Sequence, residues 1–424
     1  MIRRLESALV ILALVSQSSP TARDQLADLR RQAHEARQAG DRRGYLRAAL
    51  KVRSLLNDAP DAIESVAHAY VEAGDTTRAL DSLTRFADMG QVDESLIDGT
   101  NKTFAALTDS RRYKAILEHF ALNKAAVSHA ELAFTLADPG IVAEDIDYDP
   151  QSKTYLITSV LENKIIRASV SGASADFAQS PSHWPMLAVK IDSARSRAWA
   201  TEVALDGFTS VPKSDWGRSA LLCFDLSTGK LLRRIEGASH SALGDMVLAR
   251  NGDPIVSDGA GGGVYRLVDG ELALINGKDF ISPQTPALLP GNDHILVPDY
   301  LRGIGVLDLR SGQVSWLGDD TPGNIAVNGV DGLYFNRGSL FLTQNGTSPE
   351  RVIRLQLDRS LTRIVSSQII EQATPAFGDP THGVLVGNSF LYIANSGWSE
   401  LDDHGQLKPG SKLTAAHIMR FDLQ

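Results

Sequence analysis

The sequence predicts a mixed, two-domain protein: an N-terminal all-α region of helical repeats, residues 23–123, followed by a C-terminal all-β six-bladed propeller, residues 130–424. Three observations predict it. The chain's 424 residues exceed the size at which one hydrophobic core keeps growing. A spacing of 34 residues recurs in the first part, and a short strand pattern recurs six times in the second.

The extreme N-terminus, MIRRLESALVILALVSQSSPTARDQ, places two arginines before the apolar run Ala8–Val15 and then small and polar residues. That order predicts an export signal over residues 1–22 and a periplasmic or secreted protein. The run is too short for a permanent membrane span, and no later segment holds 18 consecutive apolar residues, so no membrane contact is expected beyond the signal. Net charge is −9 and no segment clusters Lys and Arg, which argues against a nucleic-acid partner. Cys223 is the only cysteine, so neither an internal disulfide nor a cysteine-based metal cluster can form.

In the helical region Gly40-Asp41 and Gly74-Asp75 lie 34 residues apart, and Asp109 lies 34 further on. Tyr70 and Phe104 keep the same spacing. The middle copy, AHAYVEAGDTTRALDSLTRFA, has Ala67, Tyr70, Gly74, Ala79 and Leu83 where small and large residues alternate between two packed helices, and there it resembles a tetratricopeptide repeat. Tyr70 and Leu83 are expected to be buried between helices. Two roles follow: a cap packed on the propeller, favoured by the small number of repeats, or a groove for a protein partner.

From Ala130 the periodicity changes to alternation punctuated by Gly, Asp and Asn. Six segments share one strand-and-turn pattern: NKIIRASVSG, SALLCFDLSTG, GGVYRLVDG, RGIGVLDLRSG, ERVIRLQLDRS and AHIMRFDL. Each follows a two-strand unit such as DGLYFNRGSLFLTQ, and all but the last precede a more variable outer strand. Blades are expected to start near residues 140, 183, 240, 281, 326 and 379. The last copy lacks an outer strand and Ala130–Leu136 lacks a blade, so pairing the two closes the ring and removes an exposed edge.

The segments DPGIVAEDIDYDPQSKTYLITSVLENKIIRA, SPQTPALLPGNDHILVPDYLRGIGVLDL and GVDGLYFNRGSLFLTQNG resemble the senescence marker protein/gluconolactonase family of six-bladed propellers. The resemblance implies a divalent cation, calcium or magnesium, at the mouth of the central channel. Its ligands would be Glu144 from the first blade, Asp331 from the fifth, and Gln284 where the family has Asn. A further family Asn falls on Gly244, with Asp245 beside it. Lys190 in the second blade and His382 in the sixth complete the ring as candidate substrate-binding groups.

For each residue alone the competing reading is a turn cap through side-chain to backbone hydrogen bonds. Two acids at equivalent positions of different blades argue against that for Glu144 and Asp331. A second ring, Ser159, Glu202, Asp258, Asp299, Gln344 and Asn395, follows the second strand of each blade and reads as structural. Two functions are then open. One is a metal-dependent hydrolase of lactones or esters, in which Asp331 or Asp245 takes the proton. The other is a propeller that binds a small molecule at its channel without turnover, with the helical repeats as partner module.

Overall fold

The computed structural model describes residues 19–322 and 324–423. Most of the expected export signal, residues 1–18, lies outside the described residues. Two helical hairpins open the described chain: α1 (Ala22–Gln38) with α2 (Arg42–Leu55), and α3 (Pro60–Glu72) with α4 (Thr76–Asp88). The Gly-Asp pairs explain where each hairpin turns. Gly40 and Gly74 take φ of 70° and 83°, which a side chain resists, and end the first helix. Asp41 and Asp75 then cap the second helix through Gly44 N at 2.8 Å and Arg78 N at 3.1 Å.

The third copy departs from this plan. Its first helix is cut to α5 (Glu94–Ile97) and a 3-10 turn, Lys102–Leu107, before α6 (Arg111–Asn123). Asp98 and Gly99, at φ 70°, stop the helix after four residues. Leu83 is fully buried as expected, and so is Phe104, whereas Tyr70 is only half-buried, with the Arg78 guanidinium over its ring. A cationic side chain satisfies the ring's outer face, so Tyr70 does not need the interior.

The remaining chain forms six sheets arranged as blades, antiparallel but for the short Gly318–Asp319 pairing. Each has its innermost strand first, as the sequence pattern requires. Glu131–Thr135 pairs antiparallel with His417–Asp422, which closes the ring. The fifth blade is wider than expected: Val127–Ser128 and Gly318–Asp319 both add to its outer strand, Arg363–Gln372.

The second ring of polar residues ties each blade together. Asp299 accepts from the backbone N–H groups of Ile281, at 2.5 Å, and Leu301, at 2.9 Å. Asp258 accepts from Ala242 N and Gly261 N, and Glu202 from Ser182 N and the Arg234 side chain. Gln344 donates to Ala326 O and Asn328 O. Each carboxylate or amide thus satisfies loop backbone that burial would otherwise leave unpaired.

The helices sit on the face of the ring where the innermost strands begin. Arg302 Nε donates to Leu55 O at 2.9 Å, Val92 N to Ser348 O at 2.7 Å, and Ile281 and Ala326 join the apolar clusters of the helices. Arg351 is fully buried beneath them without a carboxylate partner among the described residues. Its Nε donates to Gln344 at 2.8 Å and Nη2 to Ala326 O at 3.1 Å, and burial lowers its pKa to about 10.

A Cβ on Gly90, at φ 78°, would lie 2.6 Å from Arg351 Nη1. Gly90→Ala is therefore expected to destabilise the protein by more than the ~1–2 kcal/mol of a left-handed alanine alone. Urea unfolding of the variant measures this, and an unchanged midpoint would show that helices and propeller do not meet there.

Candidate functional site at the upper channel mouth

The innermost strands begin with a shared irregularity. In the first blade Ala143 pairs with Ser159 and Ile146 with Ile157, so Glu144 and Asp145 together oppose Thr158. In the fifth, Asp331 and Gly332 together oppose Thr343. The second blade repeats it with Leu187 and Ala188 against Thr201, and the third has one extra residue at Gly244. Such bulges break the alternation of the strand and re-aim side chains. Here they turn Glu144 and Asp331 toward the axis.

Threonine hydroxyls hold the bulges. Thr158 Oγ1 accepts from Asp145 N at 2.9 Å and donates to Leu187 O of the next blade at 2.5 Å. Thr201 does the same from Ala188 N, at 3.0 Å, to Gly244 O, at 3.3 Å. Thr343 accepts from Gly332 N at 2.8 Å and donates to Thr381 O.

Glu144, Asp331 and His382 converge, each offering a ligand atom within 4.8 Å of the others. That spacing matches ligands placed on opposite sides of one cation at the ~2.3–2.6 Å typical of calcium. Trp398 Nε1 donates to Glu144 Oε2 at 2.5 Å, and Asn345 Nδ2 to Asp331 Oδ2 at 2.9 Å. Tyr300 Oη in turn donates to Asn345 Oδ1 at 3.0 Å. Each carboxylate thereby keeps its second oxygen free of protein hydrogen bonds among the described residues.

His382 is held from both sides. Its Nδ1 faces Glu144 O at 2.8 Å, an acceptor only, so that nitrogen carries a proton. Its Nε2 meets Asp245 Oδ1 at 2.5 Å, and Thr285 Oγ1 donates to the same oxygen at 3.2 Å. Burial opposes a charged ring, but Asp245 and Asp331 outweigh it and hold the imidazole pKa well above its ordinary value. Burial, then the neighbouring Asp331, pushes the Glu144 carboxyl up to about 8. Burial likewise pushes Asp331 to about 6, with His382 working in the opposite direction.

The other candidates fall differently. Gln284 donates its amide nitrogen to Ser282 Oγ at 3.0 Å and leaves its carbonyl oxygen without a protein donor among the described residues. Lys190 is not at this mouth: it lies deeper in the channel, its ammonium 2.5 Å from Asp145. The register explains this, because Lys190 pairs with Trp199 beyond the bulge, whereas the mouth position of that blade is Leu187. Trp398 and Asn345 went unread in the sequence. Asn345 directly follows the structural ring residue Gln344, a signal that could have found it. Trp398 belongs to the irregular loop 394–416, which has no periodic pattern.

No protein-family model matches the chain, and no curated protein matches it. Among solved structures, a luciferin-regenerating enzyme shares 14% identity over 70% of this chain and 95% of its own, with a TM-score of 0.48. A calcium-binding regucalcin from Agrobacterium tumefaciens shares 17% over 70% and 97%, with a TM-score of 0.46. Virginiamycin B lyase from Staphylococcus aureus shares 15% over 62% and 80%, with a TM-score of 0.44. At these values the likenesses add nothing to function, and the six-bladed class rests on the strand pairing itself.

Thr343→Val keeps the shape but leaves a buried Gly332 N–H unpaired, at a cost of ~1–3 kcal/mol. Thermal melting of this variant should show that loss. A silent substitution would mean that the hydroxyl does not hold the fifth-blade bulge.

Proposed function

We propose that the chain is a divalent-cation-dependent hydrolase of lactones or esters, acting at the upper mouth of the propeller. The convergence of Glu144 and Asp331, each with an oxygen left open, is the observation that carries this reading. Carboxylate oxygens, with the carbonyl of Gln284 as a third donor in this reading, suit calcium or magnesium. Burial, with repulsion among the acids added to it, raises both carboxyl pKa values, and a cation would favour the ionised forms. Such an ion, when bound, supplies Lewis-acid polarisation of a carbonyl and of a water molecule.

The chain's own groups do the rest. Trp398 and Asn345 fix the two carboxylates by donating to one oxygen of each. Asp245, backed by Thr285, accepts from His382 Nε2, and its carboxylate is the group that can take a proton from water and return it to a leaving alkoxide. In this reading His382 orients Asp245, and Asp331 serves mainly as a ligand.

A second reading, ligand binding without turnover, is favoured by one observation: both ring nitrogens of His382 are engaged by protein groups, Glu144 O and Asp245 Oδ1. The packing of the helices on the propeller supports a cap role for that region, which we take to be tetratricopeptide-like. Export to the periplasm or beyond remains part of the proposal on the strength of the N-terminal residues.

Calorimetric titration with calcium and magnesium tests the cation site. Asp331→Asn should weaken binding about tenfold or more and Asp331→Ala should abolish it, while both variants stay folded. The pH dependence has a definite sign. Both carboxyls hold protons more tightly in the folded protein, at about 6 and about 8, than the ~4 of an unfolded chain. Without the ion, stability therefore falls as pH rises from about 4 through about 8. A cation binds the ionised forms, so calcium should raise the melting temperature more at pH 8 than at pH 6. Hydrolysis of a panel of sugar lactones and aryl esters then separates the readings. Cation binding with no turnover of any of them supports the binding alternative, and absence of binding at millimolar ion ends the metal proposal.

A further inference from the structure

The innermost strands end around a second chamber at the lower mouth of the channel, with a volume of about 280 Å³. This is near the small end of the ~300–1,000 Å³ range of ligand sites. All six blades contribute to it, and most of its wall is apolar, with Val247, Leu288, Leu333, Phe335 and Val384 among the residues that face it. Tyr334 also lines it and turns its hydroxyl to Gly383 N at 2.7 Å, one residue from His382.

Two charged side chains open onto the chamber, Asp147 and Lys190. They are not equivalent. Lys190 is neutralised by Asp145, which is also held by Val189 N at 2.8 Å. Asp147 receives only neutral donors, Tyr148 N at 2.9 Å on one oxygen and Ile191 N at 2.6 Å on the other. Among the described residues no Lys, Arg or His forms an ion pair with it. A carboxylate facing an apolar chamber without an ion pair of its own is costly unless a ligand supplies one.

We propose that the lower chamber is a second binding site, for a compact apolar amine whose ammonium sits on Asp147 and whose hydrocarbon part lies against Leu288, Leu333 and Phe335. An anion would add a third negative charge to Asp145 and Asp147 opposite a single lysine. A neutral hydrocarbon would strip Asp147 of water and give nothing back. The aromatic faces of Tyr334 and Phe335 add a favourable surface for a cation. Burial pushes the Asp147 carboxyl up to about 6, with Lys190 opposing. This site is independent of the hydrolase reading: Thr285 borders both, but Asp147, Leu288, Leu333 and Phe335 have no role at the upper mouth there.

The probes are phenethylamine, 3-phenylpropionate and 2-phenylethanol, titrated calorimetrically into the full chain at pH 7.5 with and without calcium. Phenethylamine should bind, and neither of the others should match it. Asp147→Asn should weaken phenethylamine roughly tenfold or more, as loss of a charged contact does. Leu288→Trp, which fills the chamber, should abolish binding, and both variants should retain calcium binding at the upper mouth. Tighter binding of 3-phenylpropionate, weakened by Lys190→Met, would overturn the proposal in favour of an anion site. Phenethylamine binding that survives Leu288→Trp but is lost in Asp331→Asn would place the amine at the upper mouth and overturn it equally. So would failure of all three probes to bind at millimolar concentration. Should Asp147→Asn not fold, Leu288→Trp alone decides.

Discussion

The hydroxyl of a threonine on the second strand, shared between the bulge of its own blade and the backbone of the next, is the contact on which the centre of this propeller depends. A bulge leaves an N–H without a ladder partner, and near the axis there is little water to satisfy it. Thr158, Thr201 and Thr343 each accept from that N–H and donate onward to the following blade. Thr381 continues the circuit by donating to Ala143 O at 3.3 Å, from the last blade to the first. The same few hydrogen bonds therefore fix the stagger of the blades and the direction of the side chains at the mouth. Stability and site geometry are set by one device.

What the bulges bring together is an excess of negative charge. Glu144, Asp331 and Asp245 meet around one imidazole, and among the described residues His382 is the cationic group that contacts one of them. Such a cluster is expensive to keep ionised when buried. Proton uptake, which the raised carboxyl pKa values describe, is one release. A bound cation is the other. The helices and the loops 204–218 and 394–416 stand on the same face, where Phe208 and Trp398 meet edge to face at 6.2 Å between ring centroids. They limit the access of water to the mouth and so strengthen whatever electrostatic interaction occurs there.

Much of the fold was legible because its rules are local. A blade is a short run of alternating residues between turn signals, and six such runs with one unpaired strand left over at the start define a closed ring. The Gly-Asp pairs were legible for the same reason, since the helix stop and the helix cap are adjacent residues. The third helical copy failed where Asp98 and Gly99 interrupt a pattern that spacing alone carries across. At the mouth, Glu144 and Asp331 could be read from their common position in two blades. The pairing of His382 with Asp245 could not, because it crosses the axis between residues 137 apart in sequence. Lys190 was misplaced by one bulge: its position relative to Leu187 decides which mouth it serves, and the bulge leaves no mark in the composition of the strand.

Diffraction from crystals grown with manganese, collected at the manganese absorption edge, tests most directly whether the bulges exist to converge carboxylates on a cation. The account predicts one strong anomalous peak on the channel axis, about 2.0–2.6 Å from an oxygen of Glu144 and an oxygen of Asp331. A mouth with no such peak, and with the two carboxyl groups turned away from each other, would contradict it.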